Sequence, residues 1–266
     1  MKNKNGFTLT EILLAAMIVG LIGVALASLT TAASRESGVG SSRVMLRNNL
    51  SIALRQLRQD VHHASRVLFV KGPLTTAPNT ASGSTPAEIP LLVLANNVNV
   101  QGKRIDSDKA KEFIAYCFLR GNQFTLSSGD AVQPTTPSTS PAADGGVIKR
   151  VVWQGSSDAD DTVLPETAAD FCPADKSSRT VSVWLNHVKF ISNSYTTSGG
   201  KHYPVPLFTL LDYNGTTSYN NNASAVSKGA LLGVNIILEL PSYPVVNEVI
   251  EERILLSNGG ALTTTP

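Results

Sequence analysis

Residues 7–34 read FTLTEILLAAMIVGLIGVALASLTTAAS, and from Ile12 to Ser34 no side chain is charged. Leu, Ile, Val, Ala and Met dominate the stretch, with Gly20 and Gly23 inside it. That length and composition suit a helix crossing the hydrocarbon of a bilayer, which accepts only a backbone that satisfies its own hydrogen bonds. Lys2 and Lys4 precede the span, so the positive-inside rule keeps the N-terminus cytoplasmic and sends the remainder outward. Small-residue sequences at Ala25-Leu26-Ala27 and Ala32-Ala33-Ser34 suggest a secretory signal peptide, but the apolar core is longer than such peptides use. A plain anchor leaves Glu11 unexplained. A charged group at depth costs about 2.5–3.5 kcal/mol on insertion scales, so such residues usually mark function and ask for a partner.

The run Met1-Lys2-Asn3-Lys4-Asn5-Gly6, followed by Phe7-Thr8-Leu9-Thr10-Glu11-Ile12-Leu13-Leu14-Ala15-Ala16, resembles the class III leader of type IV pilins and type II secretion pseudopilins. The resemblance implies a precursor that a prepilin peptidase cuts between Gly6 and Phe7, with N-methylation of Phe7, and it sets the family's glutamate at Glu11. It implies an inner-membrane subunit, single-pass with a cytoplasmic N-terminus and a periplasmic head, that later joins a filament. Its partners would be other minor and major pilins or pseudopilins. Cleavage would leave an ammonium at the end of an apolar helix, against which a staggered neighbour can place its Glu11 carboxylate. A buried charge is tolerable only when paired, so this pair would set register more than it stabilises. Major pilins usually carry a helix-bending proline late in the span; this chain has Ser28 there and no proline before Pro73, which points to a minor subunit.

Working outward, the chain divides into a leader at 1–6, a transmembrane and filament-core helix at 7–34, an amphipathic stem helix at 35–70 and a β-rich head at 71–266. Gly38 and Gly40, amid Ser34, Ser37, Ser41 and Ser42, lower helix propensity and allow the helix to pause or bend near the membrane surface. Leu46, Leu50, Leu54, Leu57, Val61, Ala64 and Leu68 then recur at three- and four-residue steps. They form an apolar stripe that leaves Arg43, Arg47, Arg55, Arg58 and Asp60 largely to other faces. These arginines raise the question of nucleic acid, but without interleaved aromatics or a groove-reading motif a solvated face is the default. The whole chain carries 22 Lys+Arg against 20 Asp+Glu, so no general field favours a polyanion. His62 and His63 point about 100° apart on a helix and do not share a metal easily.

Beyond Lys71 the pattern changes to short strands: Val67–Val70, Ile89–Leu94, Glu112–Leu119, Gln123–Ser127, Val147–Trp153, Val181–Ile191, Val205–Leu211, Leu231–Leu240 and Val245–Leu256. The intervening segments Gly72–Pro86, Ser128–Gly146, Ser192–His202 and Asn214–Lys228 are rich in Ser, Thr, Pro, Asn and Gly and read as surface loops. The expected fold class is α+β: a long N-terminal helix packed on a mainly antiparallel sheet. Glu112 to Arg120 with Val147-Ile148-Lys149-Arg150, and then Leu185 to Ile191 with Leu232 to Leu240, are similar to strand pairs in minor pilins of the PilW type and in J-type minor pseudopilins.

Cys117 and Cys172 are the two cysteines. An oxidising periplasm and an even count favour one bridge, closing a loop of about 55 residues; a buried thiol on a strand is the alternative. The acidic group Asp158, Asp160, Asp161, Glu166, Asp170 and Asp175 would suit calcium, though without the glycine and terminal glutamate of an EF-hand, and a solvated acidic loop is the default. No other cofactor is expected. G-x-S-x-G, G-x-x-x-x-G-K-[ST] and H-E-x-x-H are all missing, which leaves an enzyme without a signature. The favoured function is a structural minor subunit that primes or joins a pilus or pseudopilus. The alternative is a filament-borne binding module whose loops contact a surface, DNA or a secreted substrate. A membrane-anchored enzyme comes third.

Overall fold

The structure is a computed structural model that describes residues 8–70, 89–99, 102–120, 124–126, 132–134, 145–155, 172, 179–189, 195–196, 202–203, 208–211, 218–219, 231–240 and 246–256. One helix, α1 (Leu9–His63), runs without a break. The pause expected at Gly38 and Gly40 is therefore not there. The polar residues late in the apolar stretch are absorbed by the helix itself. Ser28 Oγ donates to the Ala25 carbonyl, Thr30 Oγ1 to those of Leu26 and Ala27, and Thr31 Oγ1 to that of Ala27. Such back-bonding lets hydroxyls sit in an apolar helix without an unmet donor.

The chain forms two compact units, one ending at Met45 and the other beginning at Leu46. Within the first, α1 is long and apolar enough to cross a membrane, and none of its apolar window is buried. The second holds the remainder of α1 and the strands. These are β1 (Arg66–Val70), β2 (Ile89–Asn96), β3 (Glu112–Arg120), β4 (Phe124–Leu126), β5 (Val132–Pro134), β6 (Gly145–Gln154), β7 (Thr180–Lys189), β8 (Tyr195–Thr196), β9 (His202–Tyr203), β10 (Phe208–Leu211), β11 (Ser218–Tyr219), β12 (Leu231–Leu240) and β13 (Val246–Leu255). The fold is α+β and pilin-like, a long N-terminal apolar helix whose later turns pack on an antiparallel sheet.

Among the described residues nine strands make that sheet, in the order β1-β2-β3-β6-β7-β12-β10-β11, with β13 also on β12. Every pairing is antiparallel. The hub is β12. One edge pairs with β13 from Leu231↔Leu255 to Leu240↔Val246, and the other is shared between β10, opposite Leu231 to Val234, and β7, at Leu238↔Val188. The ion pair of Lys189 with Glu239 ties β7 to β12 beside that junction. The hairpins β4-β5 and β8-β9 are separate. Strands β5, β8, β9 and β11 fall in segments expected to be loops; with only two or three residues each, they are too short to show alternation.

Both faces of the sheet carry buried apolar side chains. On one lie Leu46, Leu50, Leu54, Leu57 and Val61 of α1, all buried, as the helical stripe requires. On the other, Val93, Ala95, Phe113, Ala115, Cys117, Val151 and Trp153 form a second cluster. Alternation along β3 separates the two sets, since successive side chains point to opposite faces. The stem is shorter than expected. The helix stops at His63, and Leu68, which spacing put in the helical stripe and which also lay in the expected strand Val67–Val70, is on β1 and packs against the second cluster. Ser65 makes the stop: its Oγ donates to the carbonyls of Ala95 and Val98 and accepts the Val98 N–H, pinning the turn to the end of β2.

Candidate functional site

Gly6 and Phe7 lie outside the described residues, which begin one residue later. Thr8 and Glu11 are described, and they form a closed unit. Both the Thr8 N–H and the Thr8 hydroxyl donate to Glu11 Oε2, each at 2.9 Å, while the Glu11 N–H reaches back to Thr8 Oγ1 at 3.4 Å. This is a capping box, in which the first-turn carboxylate satisfies N–H groups that have no partner within the helix. The carboxylate also stands where the positive end of the helix dipole favours it. Glu11 thus has a partner inside its own chain, and Thr8 supplies it. Thr8 is absent from the residues expected above, although Thr-x-x-Glu ahead of an apolar run is a recognisable signal.

A second polar constellation joins the stem to the sheet. The spacing that puts Leu57 and Val61 on the buried face also puts Asp60 there. Asp60 is therefore not the solvated residue expected but a buried one. Its carboxylate accepts Tyr116 Oη at 2.5 Å, Arg150 Nε at 2.6 Å and Arg150 Nη2 at 2.8 Å. Tyr116 and Arg150 are direct cross-strand partners on β3 and β6, so the sheet offers a hydroxyl and a guanidinium side by side to one carboxylate. Burial opposes the Arg150 charge, but hydrogen bonding and attraction to Asp60 outweigh it and leave the pKa raised. Burial, and then the Asp60 charge, push the Tyr116 phenol well above its ordinary range. Alongside, Trp184 Nε1 donates to the Ala53 carbonyl at 2.9 Å. Its ring meets Tyr116 edge-on with centroids 4.8 Å apart.

The stem arginines have local employment. Arg47 pairs with Glu248 at 3.2 Å, and Arg58 donates from Nε at 2.7 Å and from Nη2 to Glu252, both acceptors lying on β13. Two of the four basic residues that raised the nucleic-acid question therefore fasten an edge strand to the helix. His62 and His63 occupy the last turn of α1, with rings 6.1 Å apart and tilted at 44°.

Cys117 and Cys172 form a disulfide. Cys117 is wholly buried on the face of the sheet turned away from α1, and Cys172 packs against the same cluster. The bridge therefore anchors residue 172 to that face. The calcium candidates Asp158, Asp160 and Asp161, with Glu166, Asp170 and Asp175, lie outside the described residues. Among the described residues no group of three His, Cys, Asp or Glu side chains could hold a metal ion.

Residues 1–27 match the family model described as the prokaryotic N-terminal methylation motif. No curated protein and no solved structure matches the chain. The motif supports a type IV pilin-like chain, and a motif of this kind implies processing by prepilin peptidase and assembly with other pilins. Its apolar helix fits membrane anchoring.

Proposed function

We propose that this chain is a minor pilin or pseudopilin, of the PilW or J type, that primes or joins assembly of a type IV pilus or a type II secretion pseudopilus. The observation that carries the reading is the methylation motif at residues 1–27, which takes in the first turns of an unburied apolar helix that continues, unbroken, to His63. Cleavage between Gly6 and Phe7 would free an ammonium one residue before the capping box. While the subunit waits in the bilayer, Thr8 satisfies Glu11 locally and lessens the cost of a carboxylate in the span. In a filament, where lipid is replaced by neighbouring helices, the same carboxylate can face the Phe7 ammonium of a staggered subunit. A paired charge is then the tolerated state.

Mass spectrometry of the mature N-terminus is the direct test. A chain beginning at N-methylated Phe7 supports the proposal, and any other start refutes it. Glu11→Ala should leave the protein in the membrane fraction but lower its recovery in sheared filaments. Undiminished incorporation would remove the role given to Glu11.

A further inference from the structure

We propose that Lys149 speeds closure of the Cys117–Cys172 bridge by favouring the thiolate of Cys117. The two residues are register partners on β3 and β6, so their side chains leave the same face of the sheet with Cβ atoms about 4.5–5.5 Å apart. That face is apolar. Beside Cys117 stand Ala115 and Leu119 on its own strand and Pro90 across on β2. Lys149 lies between Val147 and Val151 on β6, opposite Val183 on β7, and is only 5% exposed. Of these strand neighbours Lys149 alone is charged, and it directly faces the sulfur-bearing residue.

Burial among apolar groups raises the pKa of a thiol and makes it inert, whereas a neighbouring lysine lowers it. The backbone pairing that sets Lys149 beside Cys117 runs from Glu112↔Gln154 to Arg120↔Gly146 and is independent of sulfur, so the lysine is in place when the bridge is made. Cys172, which is half-buried, first exchanges with an oxidant that itself carries a disulfide; its thiol proton goes to water and one thiol of the oxidant leaves. The Cys117 thiolate then attacks the Cys172 sulfur. The Sγ–Sγ bond forms and the second thiolate of the oxidant leaves and takes up a proton. Two protein thiols are thereby oxidised while one disulfide is reduced to two thiols. A lowering of the Cys117 pKa by about one unit from ~8.5 raises its thiolate fraction at pH 7 about eightfold. The accompanying loss of nucleophilicity, roughly threefold, leaves a net gain of about threefold. Above about pH 9 the thiolate is nearly complete either way, only the loss of nucleophilicity remains, and the advantage reverses.

The test is the rate of bridge closure in the full chain in detergent, reduced and then re-oxidised with oxidised glutathione. The oxidant is raised until the rate no longer depends on it, so that attack by Cys117 is the measured step, and closure is read by acid quench and maleimide gel shift. Lys149→Met should close the bridge about threefold more slowly than the parent at about pH 7 and about twofold faster at about pH 9.5, while Lys149→Arg keeps the parent profile. A merely structural role would slow closure at both pH values. Equal rates for Lys149→Met and the parent at pH 7, or the same slowing at both, would overturn the proposal. The parent profile needs no variant to fold: its rate should reach half of its plateau below about pH 8, and a midpoint at or above about 8.5 would overturn the role of Lys149 as well.

Discussion

Replacing Asp60 by alanine removes the acceptor of three hydrogen bonds and leaves two groups stranded. Arg150 loses both of its bonds to the carboxylate, and its side chain is only 18% exposed. Tyr116 is fully buried and loses its acceptor. Breaking a buried ion pair from one side costs about 3–5 kcal/mol, because a charge is left without compensation. The residual exposure of Arg150 moves the figure to the lower end, while the unmet Tyr116 hydroxyl adds part of the ~1–3 kcal/mol due to an unsatisfied buried donor. The two penalties share one cavity and do not sum, so the expected loss is about 3–4 kcal/mol. In a chain of this size that lowers Tm by roughly 6–16 °C. Urea titration of the full chain in detergent, followed by tryptophan fluorescence, reads the change, since Trp184 touches Tyr116. The double variant Asp60→Ala/Arg150→Met should cost at least ~2 kcal/mol less than the sum of the single variants, because the stranded charge leaves with its partner. A loss below about 1 kcal/mol for Asp60→Ala, or simple additivity in the double variant, would refute the claim that this network holds the stem on the sheet.

Tyr116 gives a pH dependence of known sign. Its folded pKa is raised well above 10, so above about pH 10 the unfolded state gains by ionising while the folded state does not. The stability it contributes is complete below that pH and declines above it; Tyr116→Phe should flatten the fall in urea midpoint between pH 9 and pH 11. Replacing both cysteines by alanine releases a 55-residue loop and should cost about 4 kcal/mol in the chain-entropy account, measured by thermal unfolding of the oxidised parent and the variant. Gly146→Ala would bring a Cβ to 2.4 Å from the Leu119 carbonyl oxygen and 2.6 Å from the Phe118 ring. A backbone atom cannot step aside as a side chain can, so a loss of about 1–3 kcal/mol or more is expected in the same assay. Arg47→Ala/Arg58→Ala should lose under about 1–2 kcal/mol, because both arginines are largely exposed and exposed pairs contribute little.

The sequence by itself determined whatever depends on near neighbours. A long apolar run marks a helix able to cross a membrane, and short apolar runs located the long strands β2, β3, β6, β7, β12 and β13 to within three residues at either end. The Thr8–Glu11 cap was missed, although its partners are only three residues apart and Thr-x-x-Glu is a local signal. The role of Asp60 was not legible: its charge suggested solvent, while its helical phase pointed inward. Only Tyr116 and Arg150, 56 and 90 positions away, decide between the two. The arginines of the stem are a parallel case, with partners about two hundred residues on. The end of α1 at His63 was fixed by Ser65 reaching the end of β2, against a periodicity that continued to Leu68. Local geometry repeats with a period the sequence displays. A buried polar group is settled by whichever distant partner the fold brings to it, because desolvation without that partner is too costly to survive.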